Sequence, residues 1–402
     1  MSTTTPGVGL ISVGWMGRVH ASAYRNIPIL YPELGIKPRL VAAADTSPER
    51  AQFATDVLNF ESATDDYREI LENPEVDVVS ICSPNFLHAE MGVAAAAAGK
   101  ALWIEKPAGR TVAETRQIAQ AATAAGVATA VGFNYRNPPA VEHLKELIAD
   151  GTLGQITNIR GAFFADYSAD PRGALSWRFK QELAGSGVAG DLMGHLADLV
   201  HYLVGPIDQV SAIDSVVHKS RPIAQMGSGT HFDIIEGGEQ GPVENEDYIG
   251  ALIHIADSGV GAGAVGTIEA SRVSRGPRAS YSIEIYGTEG SARWNFERMN
   301  ELELALHSSG KYIGYAPVFA GPGFGDFSHF QPGAGTGMGY DDLKVIEARK
   351  FLEYYSGQVP VGPTIHDAVA SAQVVSSALE AAAERRWVDI APTDHTTAAL
   401  RQ

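Results

Sequence analysis

Between residues 8 and 131 the chain repeats one pattern: a short, almost wholly apolar run followed by an amphipathic or alanine-rich stretch. The runs at 8–13, 40–44, 76–81, 101–104 and 127–131 carry hardly a polar position, the signature of strands covered on both faces. The stretch at 16–26 reads as a helix, and Ser47-Pro48-Glu49 is a favourable helix start. Asn85 caps an alanine-rich helix that stops at Gly99. Thr111-Val-Ala-Glu114 is a capping box opening a helix that ends at Gly126. Short apolar strands alternating with helices predict a parallel sheet with helices on both sides.

The pattern then changes. A linking helix at 138–150 and a turn at 151–154 lead into alternating runs at 156–164, 248–255, 260–271 and 280–286, which predict strands with one face solvated. The turns at 257–259 and 287–290 read as hairpin connections. Helices are expected at 188–204, 340–356 and 365–385. The second half is therefore an α+β domain with an open, mainly antiparallel sheet and helices on one side. The Gly/Pro-rich stretches 226–244 and 320–339 read as surface or pocket-edge loops. The division falls at 1–135 and 136–402, with the final helix able to pack back on the first domain.

Chemistry enters at the first strand–helix junction. Ser12-Val13-Gly14-Trp15-Met16-Gly17 matches the dinucleotide fingerprint with Ser in place of its first glycine. Gly14 and Gly17 hold the positions where a side chain would obstruct ligand or packing, and Ser12 fits only with negative φ. The following helix N-terminus offers free N–H groups to a pyrophosphate. The first half is thus a Rossmann-type α/β domain. Asp45 closes the second strand, where a carboxylate accepts from ribose hydroxyls and repels a 2′-phosphate. NAD is accordingly expected over NADP, with Arg50 nearby moderating the preference. Asp45 lies further along than the usual spacing of about 20 residues, and the Pro-rich insertion at 28–38 accounts for the excess.

Composition narrows the picture. Thirty Lys+Arg against 47 Asp+Glu give a net charge of −17, which disfavours nucleic-acid and anionic-membrane partners. The single cysteine, Cys82, excludes a disulfide framework and a Cys-rich zinc site, and reads as a small buried hydrophobe. No apolar run approaches the ~20 residues of a membrane span, and the N-terminus lacks signal-peptide character. A cytoplasmic protein binding no metal is expected.

Lys106, in Glu105-Lys106-Pro107 at the end of the fourth strand, falls where open parallel sheets bind ligands. Asp191, Gly194, His195, Asp198 and Tyr202 share one helical face, either a solvated surface or the wall of a polar cleft. His195 has the ordinary pKa for proton transfer near neutrality. His20, His329 and Gln331 read as loop residues without a role.

Taken together, the glycine turn, Ser83-Pro84-Asn85 with His88, Glu105-Lys106-Pro107, Gly132-Phe133-Asn134-Tyr135-Arg136 and Asp191…His195…Asp198 resemble the Gfo/Idh/MocA oxidoreductase family along nearly the whole chain. Ser176-Trp177-Arg178-Phe179 and the Gly-rich run after it resemble the levoglucosan and inositol-type sugar dehydrogenases. The resemblance implies a catalytic set of Lys106, Asp191 and His195, with Asp191 orienting the imidazole. It implies a cofactor site of Ser12, Gly14, Trp15, Met16, Gly17, Asp45, Ser83, Asn85, His88, Glu105, Lys106, Trp177 and Arg178, with Asn85 and His88 by the nicotinamide ribose and Trp15 covering the nicotinamide side. Asn134, Tyr135 and Arg136 would join Asp191 and His195 around a carbohydrate substrate. It further implies a cis Lys106–Pro107 bond and a homodimer or homotetramer covering the open sheet. The implied activity is NAD-dependent oxidation of a secondary hydroxyl of a sugar or cyclitol. The alternatives are an NAD-retaining glycoside-cleaving enzyme and a non-catalytic dinucleotide-binding regulator. This sequence departs from the family pattern at Ser12 and at Gly194, which stands one place later than usual.

Overall fold

A computed structural model describes residues 4–224, 233–307 and 314–392. The strands of the first half are β1 (Gly7–Ile11), β2 (Arg39–Ala44), β3 (Ser62–Thr64), β4 (Val78–Ile81), β5 (Ala101–Ile104) and β6 (Thr129–Val131). They form one parallel sheet in the order β3-β2-β1-β4-β5-β6. Helices α1 (Trp15–Leu30), α2 (Pro48–Asp56), α3 (Tyr67–Glu72), α4 (Asn85–Ala97) and α5 (Val112–Ala125) make the connections. The chain order reverses between β1 and β4, so a crevice opens beyond the carboxyl ends of these two strands. Local signals explain the helix ends. Thr111 accepts from Glu114 N–H, and Gly99 and Gly126 take φ values of 72° and 66°.

The second half continues with α6 (Pro139–Ala149), β7 (Ile156–Ala165), a short α7 (Gln181–Ala184), a π-helical turn (Ala189–Met193) and α8 (Gly194–Leu203). It goes on through β8 (Ile207–Ser215), β9 (Ser220–Pro222), β10 (Gln240–Pro242), β11 (Tyr248–Ile255), β12 (Val265–Ser271), β13 (Ala279–Gly287), β14 (Gly290–Asn295), β15 (Glu301–Leu306) and β16 (Ala316–Phe319). Helices α9 (Phe327–Phe330), α10 (Tyr340–Tyr355) and α11 (Ile365–Glu384), with β17 (Val388–Asp389), complete it. The large sheet runs β16-β15-β14-β13-β7-β12-β11-β8-β17, antiparallel throughout except between β7 and β12. This is the expected α/β plus α+β arrangement, with the second sheet mixed. Helices α10 and α11 both return to the first half: Val345, Phe351 and Leu352 join the core beneath α1, and Ile365 and Val369 join that beneath α5.

The turn at 257–259 is not a tight hairpin, because β12 begins only at Val265. The 320–339 stretch is not wholly peripheral: Phe327 is fully buried, and Phe324 and Phe330 pack on the same core. The 226–244 stretch lies partly outside the described residues, and its end forms β10. His20 is not a loop residue but a buried one on α1, and His329 sits on α9 against Tyr31. Among the described residues no helix is long and apolar enough to cross a membrane.

Candidate active site

The turn after β1 is built for close approach. A Cβ on Gly17 would stand 2.1 Å from the Ser12 carbonyl oxygen, so α1 sits against the turn only with glycine there. Gly14 differs: a Cβ there would meet nothing closer than Ser12 Oγ at 4.0 Å, so packing does not demand this glycine. Ser12 adopts φ 74°, contrary to the expectation of a negative φ. The fingerprint's first position bends through the left-handed region, and this chain makes the bend with serine at a cost of about 1–2 kcal/mol. Helix α1 begins with no side-chain cap, leaving its first-turn N–H groups free. Asp45, 8% exposed, accepts from Val13 N–H at 2.8 Å and from Ser47 N–H at 2.9 Å. Each oxygen keeps acceptor capacity for a ribose hydroxyl. A site with uncapped N–H groups, an unobstructed Gly14 and a carboxylate at the end of β2 fits a dinucleotide. Trp15, 66% exposed, stacks on Tyr340 with centroids 5.5 Å apart and forms a lip beside this turn.

Lys106 leaves the carboxyl end of β5 across a cis peptide to Pro107. Its Nζ donates to both the backbone oxygen and Oδ1 of Asp191, each at 2.9 Å. The other carboxylate oxygen accepts from Tyr167 OH at 2.6 Å. Burial alone would raise the Asp191 pKa; the charges of Lys106 and Arg178 and the Tyr167 hydroxyl outweigh it and hold the group well below the usual carboxylate range. Tyr167 lies just past β7 and carries no motif, so sequence reading missed it; its position at a strand end was the available signal.

His195 follows one turn after Asp191, but the ring makes no hydrogen bond to that carboxylate, and its buried Nδ1 has no partner. Orientation by Asp191 is thus corrected: the carboxylate is engaged by Lys106 and Tyr167, while packing holds the imidazole. Tyr135 meets it edge-on at 4.8 Å and Phe133 at 5.7 Å. Burial first, and then the Lys106 charge, push the His195 pKa well below 6.5, so the ring is neutral near pH 7. The displaced Gly194 immediately follows the π-helical turn that carries Asp191, a feature frequent at functional sites. A cavity of about 250 Å³ touches Lys106, Phe133, Gly190, Gly194 and Ser371 but not Asp191, His195 or Tyr167, which places it behind this turn.

Other candidates separate clearly. Trp177 meets Phe86 of α4 edge-on at 6.1 Å, and Arg178 lies 4.5 Å over the Trp177 ring, closing the crevice from the second half. Asn85 donates to Ala184 O at 3.4 Å across the same seam. Ser83 Oγ and Asn134 Nδ2 are buried without a partner near the ends of β4 and β6, as groups awaiting a ligand would be. Three candidates have their side chains committed elsewhere. His88 has Nδ1 2.8 Å from Pro107 O and Nε2 2.7 Å from Ser83 O, leaving no ring nitrogen for a ribose. Glu105 has its carboxylate engaged by buried His20 and Lys344. Arg136 is buried in ion pairs with Asp198 and Asp367, so its guanidinium is not free to bind sugar. Asp198 is likewise neither solvated nor in the cleft.

A parallel sheet with a glycine turn, and a lysine–aspartate pair beside a neutral histidine at the carboxyl edge, define a dinucleotide-dependent oxidoreductase. Residues 7–133 match the model of the oxidoreductase family with an NAD-binding Rossmann fold, and residues 141–293 match the GFO/IDH/MocA C-terminal domain. The chain belongs to the Gfo/Idh/MocA oxidoreductase family. It is 37% identical to levoglucosan dehydrogenase of Pseudarthrobacter phenanthrenivorans over 386 residues, covering 95% of this chain and 97% of that one. Inositol 2-dehydrogenase of Rhizobium meliloti is 23% identical over 389 residues, 95% of this chain and 98% of that one. A levoglucosan dehydrogenase structure in complex with NADH and levoglucosan superposes with a TM-score of 0.89 at 36% identity, covering 97% of this chain and all of that one.

Proposed function

We propose that the chain oxidises a secondary hydroxyl of a neutral pyranose, anhydrosugar or cyclitol to the ketone. The observation that carries the reading is the fixed Lys106–Asp191–Tyr167 chain beside a neutral, buried His195. In this reading His195 takes the hydroxyl proton, for which a neutral imidazole is required. Lys106, steered by Asp191, donates a hydrogen bond to the same oxygen and stabilises the developing alkoxide. The lowered Asp191 pKa keeps its carboxylate charged, so the ammonium stays in register. The nicotinamide of bound NAD supplies the hydride acceptor. Tyr135 and Phe133 keep water from the imidazole. The levoglucosan dehydrogenase relative supports a sugar substrate, and Asp45 supports NAD over NADP.

The test is NADH formation with NAD, and separately NADP, across anhydrosugars, hexopyranosides and inositols. Turnover of at least one of these with NAD is expected. Release of an aglycone from glycosides without net NADH would replace this reading with transient oxidation. Absence of any turnover would leave a dinucleotide-binding regulator. We also propose a homo-oligomer, because Ile213, Leu252 and Val265 lie exposed on one face of β8, β11 and β12. A monomer in light scattering would refute it.

A further inference from the structure

Behind Lys106 the interior holds ionisable groups drawn from three distant parts of the chain. Glu105 Oε1 accepts from Lys344 Nζ at 2.5 Å and faces His20 Nε2 at 2.9 Å, while Oε2 accepts the Lys106 backbone N–H at 3.3 Å. Lys344 Nζ also donates to Glu347 Oε1 at 3.1 Å, and Trp103 Nε1 donates to that same oxygen at 2.5 Å. The Trp103 ring stacks on His20 at 3.6 Å. His20 Nδ1 lies 3.2 Å from Ser80 Oγ, which Tyr24 OH meets at 3.1 Å. Gly132 makes the space: a Cβ there would stand 2.4 Å from Glu105 Oε2.

Apolar residues of similar volume would fill this interior at least as stably, since burying ion pairs costs desolvation. Direction is what the charges add. Glu105 is held by α10 and α1, and its second oxygen holds the backbone of the very residue whose side chain reaches Asp191. The charge count is equally specific. One ammonium lies between two carboxylates, beside a histidine whose pKa burial lowers to about 4. With His20 neutral, the cluster balances its charge when one carboxyl keeps a proton, and the buried, unpartnered Glu347 Oε2 is the atom free to carry it.

We propose that Lys344 and Glu347 are positioning residues that fix the strand end bearing Lys106 and hold one shared proton behind it. For Lys106 as a group of the reaction, this rests on the dehydrogenase reading above. Burial pushes the Glu347 pKa up to about 7 against the pull of Lys344, whereas Lys344 and His20 overcome burial and hold Glu105 well below the usual range. The groups facing this proton are Lys344 and Tyr340 from α10, Glu105 and Trp103 from the β5 end, His20 and Tyr24 from α1, and Cys82 after β4. Lys350, further along α10, is paired away with Glu142. Above neutrality Glu347 ionises and competes with Glu105 for Lys344, so the hold on the strand end loosens.

Trp103 reports this state without any substrate. The fluorescence difference between the full chain and its Trp103→Phe variant is followed across neutral pH, where His20 does not titrate. A single transition near neutrality, absent from Glu347→Gln, is expected. A flat difference signal, or a transition that persists in Glu347→Gln, overturns the shared proton even if sugars are oxidised. For positioning, Lys344→Met should lower kcat about tenfold to a hundredfold with NADH affinity held within about threefold, and Lys344→Arg should recover part of the loss. Folded Lys344→Met with wild-type kcat overturns positioning. Should Lys344→Met fail to fold, Glu347→Gln decides instead, because its kcat should lose the wild type's change across neutrality. A titrating Trp103 in a chain that reduces NAD with no sugar overturns the dehydrogenase reading while supporting the shared proton.

Discussion

Replacing Gly14 and Gly17 by alanine separates ligand approach from packing. At Gly17 the new Cβ would lie 2.1 Å from the Ser12 carbonyl oxygen and 3.2 Å from its carbon, against backbone that cannot turn aside. The turn or the start of α1 must shift by roughly an ångström, an overpacking cost of about 1–3 kcal/mol. The ligand-free Gly17→Ala chain should therefore melt several degrees lower, at about 2–4 °C per kcal/mol for a domain of this kind. At Gly14 the Cβ enters open space, with Ser12 Oγ at 4.0 Å, and φ is an ordinary −69°. Ligand-free Gly14→Ala should melt like the wild type. A pyrophosphate lying against this backbone would meet the methyl group, and a loss of about 1.4–3 kcal/mol corresponds to roughly 10- to 150-fold weaker NADH binding. Thermal melts without cofactor and NADH fluorescence titrations measure the two effects. Gly14→Ala binding NADH as tightly as the wild type would refute placement of the cofactor phosphates on this turn.

Ser12→Gly should leave stability unchanged or raise it by up to about 1 kcal/mol, since relief at φ 74° outweighs the added freedom of the unfolded chain; a lower melting temperature would show that the serine is not strained. Arg136→Met strands Asp198 and Asp367 and should cost about 3–5 kcal/mol by denaturant unfolding, with KM for the sugar unchanged in whatever folded enzyme remains; a raised KM at full stability would return Arg136 to the substrate site. Tyr167→Phe removes a hydrogen bond to a charged group worth about 1.5–3 kcal/mol, so kcat should fall roughly tenfold or more, and an unchanged kcat would show that Asp191 does not depend on it. Because burial lowers the His195 pKa, the ring stays neutral as pH falls through 6.5; kcat/KM should hold there, measured in Glu347→Gln so that the buried acid does not intrude, and an acid limb centred at 6.5 would contradict a neutral, desolvated base.

What could be read from sequence tracks how local each determinant is. Strands β1, β2, β4, β5 and β6 are buried almost end to end, so each stood out as an apolar run closed by a cap or a glycine. Strands β8, β14, β15 and β16 leave no such apolar run, because partly exposed strands mix polar and apolar residues and take their burial from partners elsewhere in the sheet. Lys106, Asp191 and His195 could be named from motif and position. Their wiring could not. The second oxygen of Asp191 goes to Tyr167, and Glu105 answers to Lys344, 239 residues on. His88 and Arg136 resemble ligand contacts because polar residues beside a motif look alike until their partners are known; here those partners are two backbone carbonyls, the buried Asp198 and the half-buried Asp367.

The central claim is that Lys106 and His195 act on one substrate oxygen beside the nicotinamide. The direct measurement is NADH formation by wild type, Lys106→Ala and His195→Ala with the sugar the wild type oxidises best, alongside NADH binding by each. Both variants should bind NADH while turning over about 10²–10⁴-fold more slowly. Either one forming NADH at the wild-type rate would contradict the account.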